Sequence, residues 1–290
     1  MKRAIIKIVS AVFKGVDAIL CRLHLKRPKV IVYVDGGICS QMLMYLQGLY
    51  YEEYDLDVRY DLLWFKKFGT DMDGILPRIF ELTEMWPNLP FRKIEGIERW
   101  YYKHFFKIGE WENATLPEPN MITHSIYLNG YWDLPKGESL KLYKRYFNLP
   151  NAATPSNQSI TNFDNVVGIH VRRGDLAKGD NPFYGGVTDG YFLRAIVFCN
   201  EKFAPKKYIF FSDEPDWVEQ NICPHLTQPY EIMRGNKAWE DLWYLSHCPI
   251  IVASQGSFGK VAARLNPDAV LIKCDNEHAN KGRENTYYIK

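Results

Sequence analysis

Cysteine is sparse and unpatterned. The 290 residues contain six, at Cys21, Cys39, Cys199, Cys223, Cys248 and Cys274, with no CxxC and no His/Cys ligand spacing. That excludes a disulfide framework or a zinc site as the organising feature and leaves reduced thiols in a cytoplasmic protein as the expectation. GxGxxG is absent, so there is no dinucleotide fingerprint. No uninterrupted apolar run approaches the roughly 20 residues that cross a bilayer. Residues 4–20 come nearest, but Lys7, Lys14 and Asp17 interrupt them, and they lack the clean core and small-residue cleavage site of a signal peptide. Neither sign of charge dominates. With 36 Lys+Arg against 34 Asp+Glu the formal net charge is +2, which gives no basic body for nucleic acid. Internal repeats are absent as well.

Aromatic residues are plentiful, at 15 % of the chain. They suit stacking on sugar faces, and equally an aromatic core. Near the start, Ile5, Ile8, Val9, Val12, Val16, Ile19 and Leu20 recur at helical spacing. Around them Lys2, Arg3, Lys7, Lys14, Arg22, Lys26, Arg27 and Lys29 face a single acid, Asp17. Residues 1–28 thus form a basic amphipathic segment with two readings: a helix lying on an anionic membrane surface, or a helix packed on the protein body with a solvated basic face. A strand at 29–34, the turn Asp35-Gly36-Gly37 and a helix at 41–51 open a nucleotide-type α/β unit. Residues 55–125 are mixed, with helices expected at 76–85 and 97–106. Asp71-Met72-Asp73 has the form of a metal-holding DxD, but its Gly-rich surroundings favour a solvated turn.

Pro150–Ser159 is small, polar and proline-bearing, as a linker would be. Beyond it, strands at 166–171, 207–211, 249–253 and 270–272 alternate with helices at 190–203, 215–221, 238–248 and up to about 265. A parallel sheet wrapped by helices is the expected result. The organisation expected is a segment 1–28, an N-terminal domain 29–158 and a C-terminal domain 159–290.

Three strands of the second half end in polar loops, at His170–Asp175, Ser212–Glu214 and Ser254–Ser257. Ligands of open α/β sheets bind in the crevice at such strand ends. The most informative stretch is Val-Val-Gly-Ile-His-Val-Arg-Arg-Gly-Asp at 166–175. Adjacent guanidiniums there suit a diphosphate, because each offers planar, paired donors to phosphate oxygens. His170 and Arg172 share one face of an extended strand and Arg173 takes the other. One arginine then meets phosphate while the other braces the loop, unless an Arg–Asp175 pair is purely structural. His170 reads either as an electrostatic helper or as a satisfied core histidine. Ser212, Asp213 and Glu214 have the groups to contact a ligand, or to cap the helix beginning at Pro215.

The block His-Val-Arg-Arg-Gly-Asp at 170–175 resembles the signature of the α-1,2-fucosyltransferases of glycosyltransferase family 11, and more distantly those of the α-1,6- and protein O-fucosyltransferases. The likeness continues in order along the chain. Asp-Gly-Gly-Ile-Cys-Ser-Gln-Met at 35–42 is similar to GGLGNQM, and Phe-Phe-Ser-Asp-Glu at 210–214 to FSDD. Glu-Asp-Leu-Trp-Tyr-Leu-Ser-His-Cys at 240–248 is similar to EDLxLMSxC, and Ser257-Phe258 to the SF of NSSFSWW. There are departures: Cys39 and Ser40 stand where the family has Gly and Asn, and Lys260 and Val261 where it has tryptophans.

The resemblance implies an α/β protein of GT-B architecture, with two Rossmann-like domains facing a cleft. It implies inverting, metal-independent transfer of L-fucose from GDP-fucose to the 2-OH of a β-galactoside in a surface glycan, with no cofactor. The partners would be GDP-fucose and a galactose-terminated glycan acceptor, with no nucleic acid. Apart from the resemblance, the first of the two readings of residues 1–28 would give peripheral contact at the inner face of the cytoplasmic membrane. The donor-binding residues expected are Gly36, Gly37, His170, Arg172, Arg173, Ser212, Asp213, Ser257 and Phe258. Arg172 and Arg173 would stabilise the departing GDP in place of a metal. Asp175 and Asp180 are the carboxylates nearest in sequence to serve as base; Asp175 alternatively holds an arginine, and Asp180 alternatively sits in a solvated loop. Two other readings stand beside this one: a related transferase using another GDP-sugar or linkage, and a noncatalytic glycan- or nucleotide-binding protein.

Overall fold

A computed structural model describes residues 2–70, 74, 76–108, 115–157, 160–174, 189–274 and 283–289. Asp71, Asp73, Asp175 and Asp180 lie outside the described residues. The chain divides into two compact units, residues 1–148 and 149–290, each built round a sheet of parallel strands. Two such α/β units in one chain are the GT-B-type fold expected. The division falls just ahead of the Pro150–Ser159 stretch, and the Tyr244 hydroxyl donates to the Asn157 carbonyl, tying that stretch to the second unit.

In the first unit the strands β1 (Lys29–Tyr33), β2 (Asp57–Asp61), β3 (Lys107–Ile108) and β4 (Ile126–Leu128) run in the order β2-β1-β4-β3. The central strand β1 buries Val30, Ile31 and Val32 completely. The helix α2 (Ile38–Glu52) begins ahead of the expected residue 41, with extended Gly37 as its N-cap. Further helices are α1 (Lys2–Arg22), α3 (Leu63–Lys67), α4 (Leu82–Met85), α5 (Gly96–Phe105) and α6 (Glu138–Tyr146). The helix expected at 76–85 forms only from Leu82. Pro77 has no N–H to give a helix and instead sits in an isolated antiparallel bridge with Thr70, while the Arg78 N–H donates to the Gly69 carbonyl at 2.6 Å. β2, β3 and β4 are additional to the strands read from sequence. α1 is docked on the body of this unit along one side. Phe13 meets Tyr101 and Phe105 edge-on at centroid distances of 5.2 and 4.9 Å. The buried carboxylate of Asp17 pairs with Lys26 and accepts the Ser125 N–H at 2.7 Å.

Among the described residues the second unit has six strands: β5 (Val166–Val171), β6 (Lys207–Ser212), β7 (Tyr230–Ile232), β8 (Ile250–Ala253), β9 (Val270–Cys274) and β10 (Thr286–Ile289). Its spatial order is β10-β9-β8-β5-β6-β7. The helices α7 (Asp189–Phe203), α8 (Pro215–Asn221), α9 (Ala238–His247) and α10 (Phe258–Leu265) make the crossovers that parallel neighbours require. The four strands read from sequence are present; β7 and β10, both at sheet edges, are additional. The chain builds outward from β5 through β6 to β7, then returns to place β8 on the other side of β5. The neighbours β5 and β8 therefore flank the topological switch point, where open α/β sheets hold their ligands.

Every residue of β5 is buried. Its close packing depends on Gly168, where an added Cβ would lie 2.7 Å from both Cys248 Sγ and Leu245 Cδ1. Gly168→Ala should therefore destabilise the second unit by about 1–3 kcal/mol through overpacking. A lowered urea midpoint measured by tryptophan fluorescence would show this; an unchanged midpoint would mean that α9 yields without cost.

Candidate functional site

The switch point is closed by a polar contact between its two strand ends. β5 delivers His170, and the residue after β8 is Ser254. The Ser254 hydroxyl lies 2.9 Å from His170 Nδ1 and accepts the Arg172 N–H at 3.1 Å, while the Ser254 N–H donates to the His170 carbonyl at 3.1 Å. Phe258, the first residue of α10, stacks on the imidazole at a centroid distance of 4.8 Å and 21° between planes. Gly259 allows this approach of α10 to the strand, since a Cβ there would come within 2.5 Å of that of Ala253. Burial, with a smaller contribution from the Arg172 charge, pushes the His170 pKa down to about 3. Its ring is neutral at ordinary pH, with Nδ1 against the Ser254 hydroxyl and a face against Phe258. Ser257 is the N-cap residue of α10, without a side-chain capping bond.

The arginines leave the end of β5 into a second polar contact, made by the end of β6. Asp213 Oδ1 accepts the Arg173 N–H at 2.9 Å, and Oδ2 lies 3.3 Å from Arg172 Nε as a charge pair. Asp213 is almost entirely buried, at 8 % side-chain exposure. Burial raises its pKa, and the Arg173 N–H and the Arg172 charge oppose that without cancelling it. Gly174 leaves the space for this carboxylate, because a Cβ there would stand 2.8 Å from Asp213 Oδ2. Arg173 Nε donates to Glu214 at 3.1 Å, and its guanidinium carbon lies over the Trp217 ring, 3.6 Å from the centroid. That cation–π contact, with the Glu214 bond, holds the guanidinium in place. Ser212 Oγ donates to the Val171 carbonyl at 2.8 Å and accepts the Glu214 N–H at 3.0 Å. Neither Ser212 nor Glu214 caps α8 through its side chain. All three residues of the Ser212–Glu214 loop are thus tied to the arginine turn.

Gly36 and Gly37 lie in the first unit, at the carboxyl end of β1. Gly36 takes a left-handed φ of +73°. Gln41, completely buried, fastens this turn by donating to the Gly36 carbonyl at 3.1 Å and the Ile79 carbonyl at 2.8 Å while accepting the Glu81 N–H at 3.0 Å. Next to the glycines, burial raises the Asp35 pKa to about 6. The Arg78 guanidinium reaches within 4 Å of where a Gly37 side chain would be.

Sequence reasoning passed over Trp217, Arg78 and Lys273. Lys273, near the carboxyl end of β9, has its pKa lowered by burial and then by Lys260 of α10, so two cations share that part of the strand-end edge. A cavity of about 790 Å³ lies elsewhere: Lys29 and Asp57 line it at the amino-terminal edge of the first sheet. Among the described residues no cluster of three or more His, Cys, Asp and Glu is arranged to hold a metal.

A neutral buried imidazole sets a pH dependence. The ordinary His pKa of 6.5 falls to about 3 in the fold, so acid protonates the unfolded chain first, and stability is lost as pH falls from about 6.5 towards 3. The wild type should lose about 1.4 kcal/mol per pH unit in that window relative to His170→Gln. Parallel curves for the two proteins in urea unfolding across that range would contradict the neutral assignment.

Comparison with known proteins follows from this geometry. The family model described as glycosyl transferase family 11 matches residues 82–288. The chain is 23 % identical over 249 residues to the alpha-1,2-colitosyltransferase of Escherichia coli, covering 79 % of this chain and 84 % of that protein. It is 34 % identical over 99 residues to the galactoside 2-alpha-L-fucosyltransferase of Caenorhabditis elegans, covering 31 % of this chain and 27 % of that one. Among solved structures, POFUT1 in complex with GDP-fucose aligns with a TM-score of 0.45 at 11 % identity, over 90 % of this chain and 97 % of that one. An Arabidopsis thaliana FUT1 mutant in complex with GDP aligns with a TM-score of 0.46 at 13 % identity, over 87 % and 71 % respectively. The matched span 82–288 contains the blocks at 170–175, 210–214, 240–248 and 257–258, and the chain belongs to glycosyl transferase family 11.

Proposed function

We propose that this glycosyltransferase moves an L-galacto-configured 6-deoxysugar from its GDP ester to a glycan hydroxyl, with inversion and without a metal. The observation that carries the reading is the pair Arg172 and Arg173, held by Asp213, Glu214 and Trp217 at the switch point of the second unit. Departure of GDP builds negative charge on the diphosphate. Fixed guanidiniums at a strand end stabilise that charge more in the transition state than in the ground state, which is the requirement for acceleration. The acceptor hydroxyl must lose its proton as the new bond forms, and Asp175 and Asp180 are the carboxylates proposed to take it. The cytoplasm is the proposed compartment, in keeping with six cysteines present as thiols.

L-Fucose delivered to the 2-OH of a β-galactoside is the main form of this reading, supported by the family and by the name of the C. elegans relative. The second form has a different GDP-sugar. The E. coli relative, matched over far more of its length, is named for colitose, which is fucose without its 3-hydroxyl. The two forms differ in whether the site hydrogen-bonds that hydroxyl. A site built to bond it rejects the deoxy analogue strongly, whereas a site without that bond discriminates weakly.

Turnover with GDP-fucose and GDP-colitose over a panel of galactosides decides between them. We expect transfer from at least one donor, unchanged in EDTA. Arg173→Ala should lower kcat by about 10²–10³-fold with the melting temperature retained. Wild-type kcat in that variant would refute the role of Arg173, and loss of activity in EDTA would refute metal independence. GDP binding without transfer to any acceptor would favour a noncatalytic binding protein.

A further inference from the structure

We propose that Asp35, Ser40 and Tyr131 form a sugar-binding point in the first unit, where the Asp35 carboxylate accepts hydrogen bonds from the hydroxyls of a neutral sugar ring. The site deepens the sugar-transfer reading above, on which it rests. In the first sheet the chain runs from β1 out to β2 and later places β4 on the other side of β1. β1 and β4 therefore flank the switch point of that sheet, where open α/β sheets hold their ligands. These strands pair Val32 with Leu128. Asp35 and Tyr131 each follow their pair member by three positions, so they leave neighbouring strand ends. Gly36 brings them together with the first turn of α2: a Cβ there would lie 3.0 Å from Ser40 Oγ and 3.7 Å from the Tyr131 hydroxyl. On the β4 side, Gln47 of α2 ties the turn by donating to the Gly130 carbonyl at 3.4 Å.

The carboxylate identifies the ligand. Asp35 is 8 % exposed, yet among the described residues no hydrogen bond or ion pair reaches its carboxylate. Its N–H is engaged, against Met44 Sδ at 3.3 Å. Asp17 and Asp61, the other described aspartates buried to this degree, each accept a backbone N–H. Asp35 is the exception, and burial alone accounts for its raised pKa. Its oxygens are not sealed in, since neither belongs to the fully buried side-chain atoms that lack a partner. The Ser40 hydroxyl beside it also has no partner among the described residues. An ionised carboxylate only accepts, and recessing one without donors costs free energy. What is missing is a set of neutral donors, which a sugar supplies as hydroxyls. A phosphate would be repelled, so the diphosphate end of a donor does not belong here. One carboxylate gives a metal ion too few ligands. Tyr131, 39 % exposed, adds an aromatic surface beside these groups. The ring bound is that of the acceptor or that of the sugar transferred.

Saturation-transfer NMR titrations on the full chain test the site, with methyl β-galactoside, lactose and GDP-fucose as probes and GDP as control. The wild type should transfer saturation to a sugar ring. Asp35→Asn, which keeps the shape and removes the charge, should bind that sugar at least about tenfold more weakly, with GDP affinity and melting temperature retained. Weakening confined to the galactosides assigns the site to the acceptor, and weakening confined to GDP-fucose assigns it to the transferred sugar. Should Asp35→Asn fail to fold, Ser40→Ala keeps the test, since it removes a hydroxyl that the fold does not use and should weaken the same sugar. Unchanged sugar affinity in a folded Asp35→Asn protein would overturn the proposal. So would a wild type that binds GDP but gives no saturation transfer to any sugar ring, an outcome that leaves the donor reading intact. Binding of a galactoside through Asp35 by a wild type without GDP affinity would support the site and refute the donor reading.

Discussion

The carboxylate of Asp213 sits where three requirements meet. It is buried, it accepts the backbone N–H of Arg173, and it stands beside the guanidinium of Arg172. Without it, the chain leaving β5 would have a backbone donor and a cation close to the sheet with this partner removed, a loss that costs more than the contact itself contributes. The geometry of both arginines therefore depends on a residue from the neighbouring strand. The same dependence explains two glycines. Gly174 is needed because the Asp213 carboxylate occupies the place of a side chain, and Gly168 because Leu245 and Cys248 pack directly against β5 there.

Around that contact the polar groups form a chain rather than a scatter. Ser254 joins the end of β8 to His170 and to the Arg172 N–H, Ser212 joins the end of β6 to Val171, and Glu214 and Trp217 hold Arg173. Most of these groups bond to backbone or to one another, so they preorganise the strand ends. In a transferase that must stabilise a departing diphosphate, such preorganisation is what makes guanidiniums effective, since they need not reorganise as charge develops.

Much of this is legible in the sequence and some is not, for identifiable reasons. β5, β6, β8 and β9 are apolar runs between turn residues, and parallel strands buried on both faces read in that way. The arginine pair stands out because two cations directly after such a run lie where an open sheet holds its ligands. β2 is hidden because only Val58 and Tyr60 of Asp57–Asp61 are apolar, and its Asp57 and Arg59 pair with each other at 2.9 Å. Periodicity alone extends a helix over 76–85, and Pro77 is the residue that defeats it. The Asp213–Arg172 and Trp217–Arg173 contacts cannot be read at all, because they join residues about 40 and 44 positions apart whose meeting depends on strand order. α1 shows a different limit: helical periodicity reveals an apolar face but does not say which way it points, and the anchors Phe13 and Asp17 decide that.

On the role proposed for Arg172 and Arg173, Asp213 is the residue that positions them to meet a diphosphate. Calorimetric titration of GDP into wild type and Asp213→Ala, with circular dichroism melts to confirm that both are folded, tests that role directly. The account predicts GDP binding by the wild type and an affinity at least about tenfold weaker in the variant, from loss of a charge-assisted contact of about 1.5–3 kcal/mol. Equal GDP affinity in the two folded proteins would contradict it.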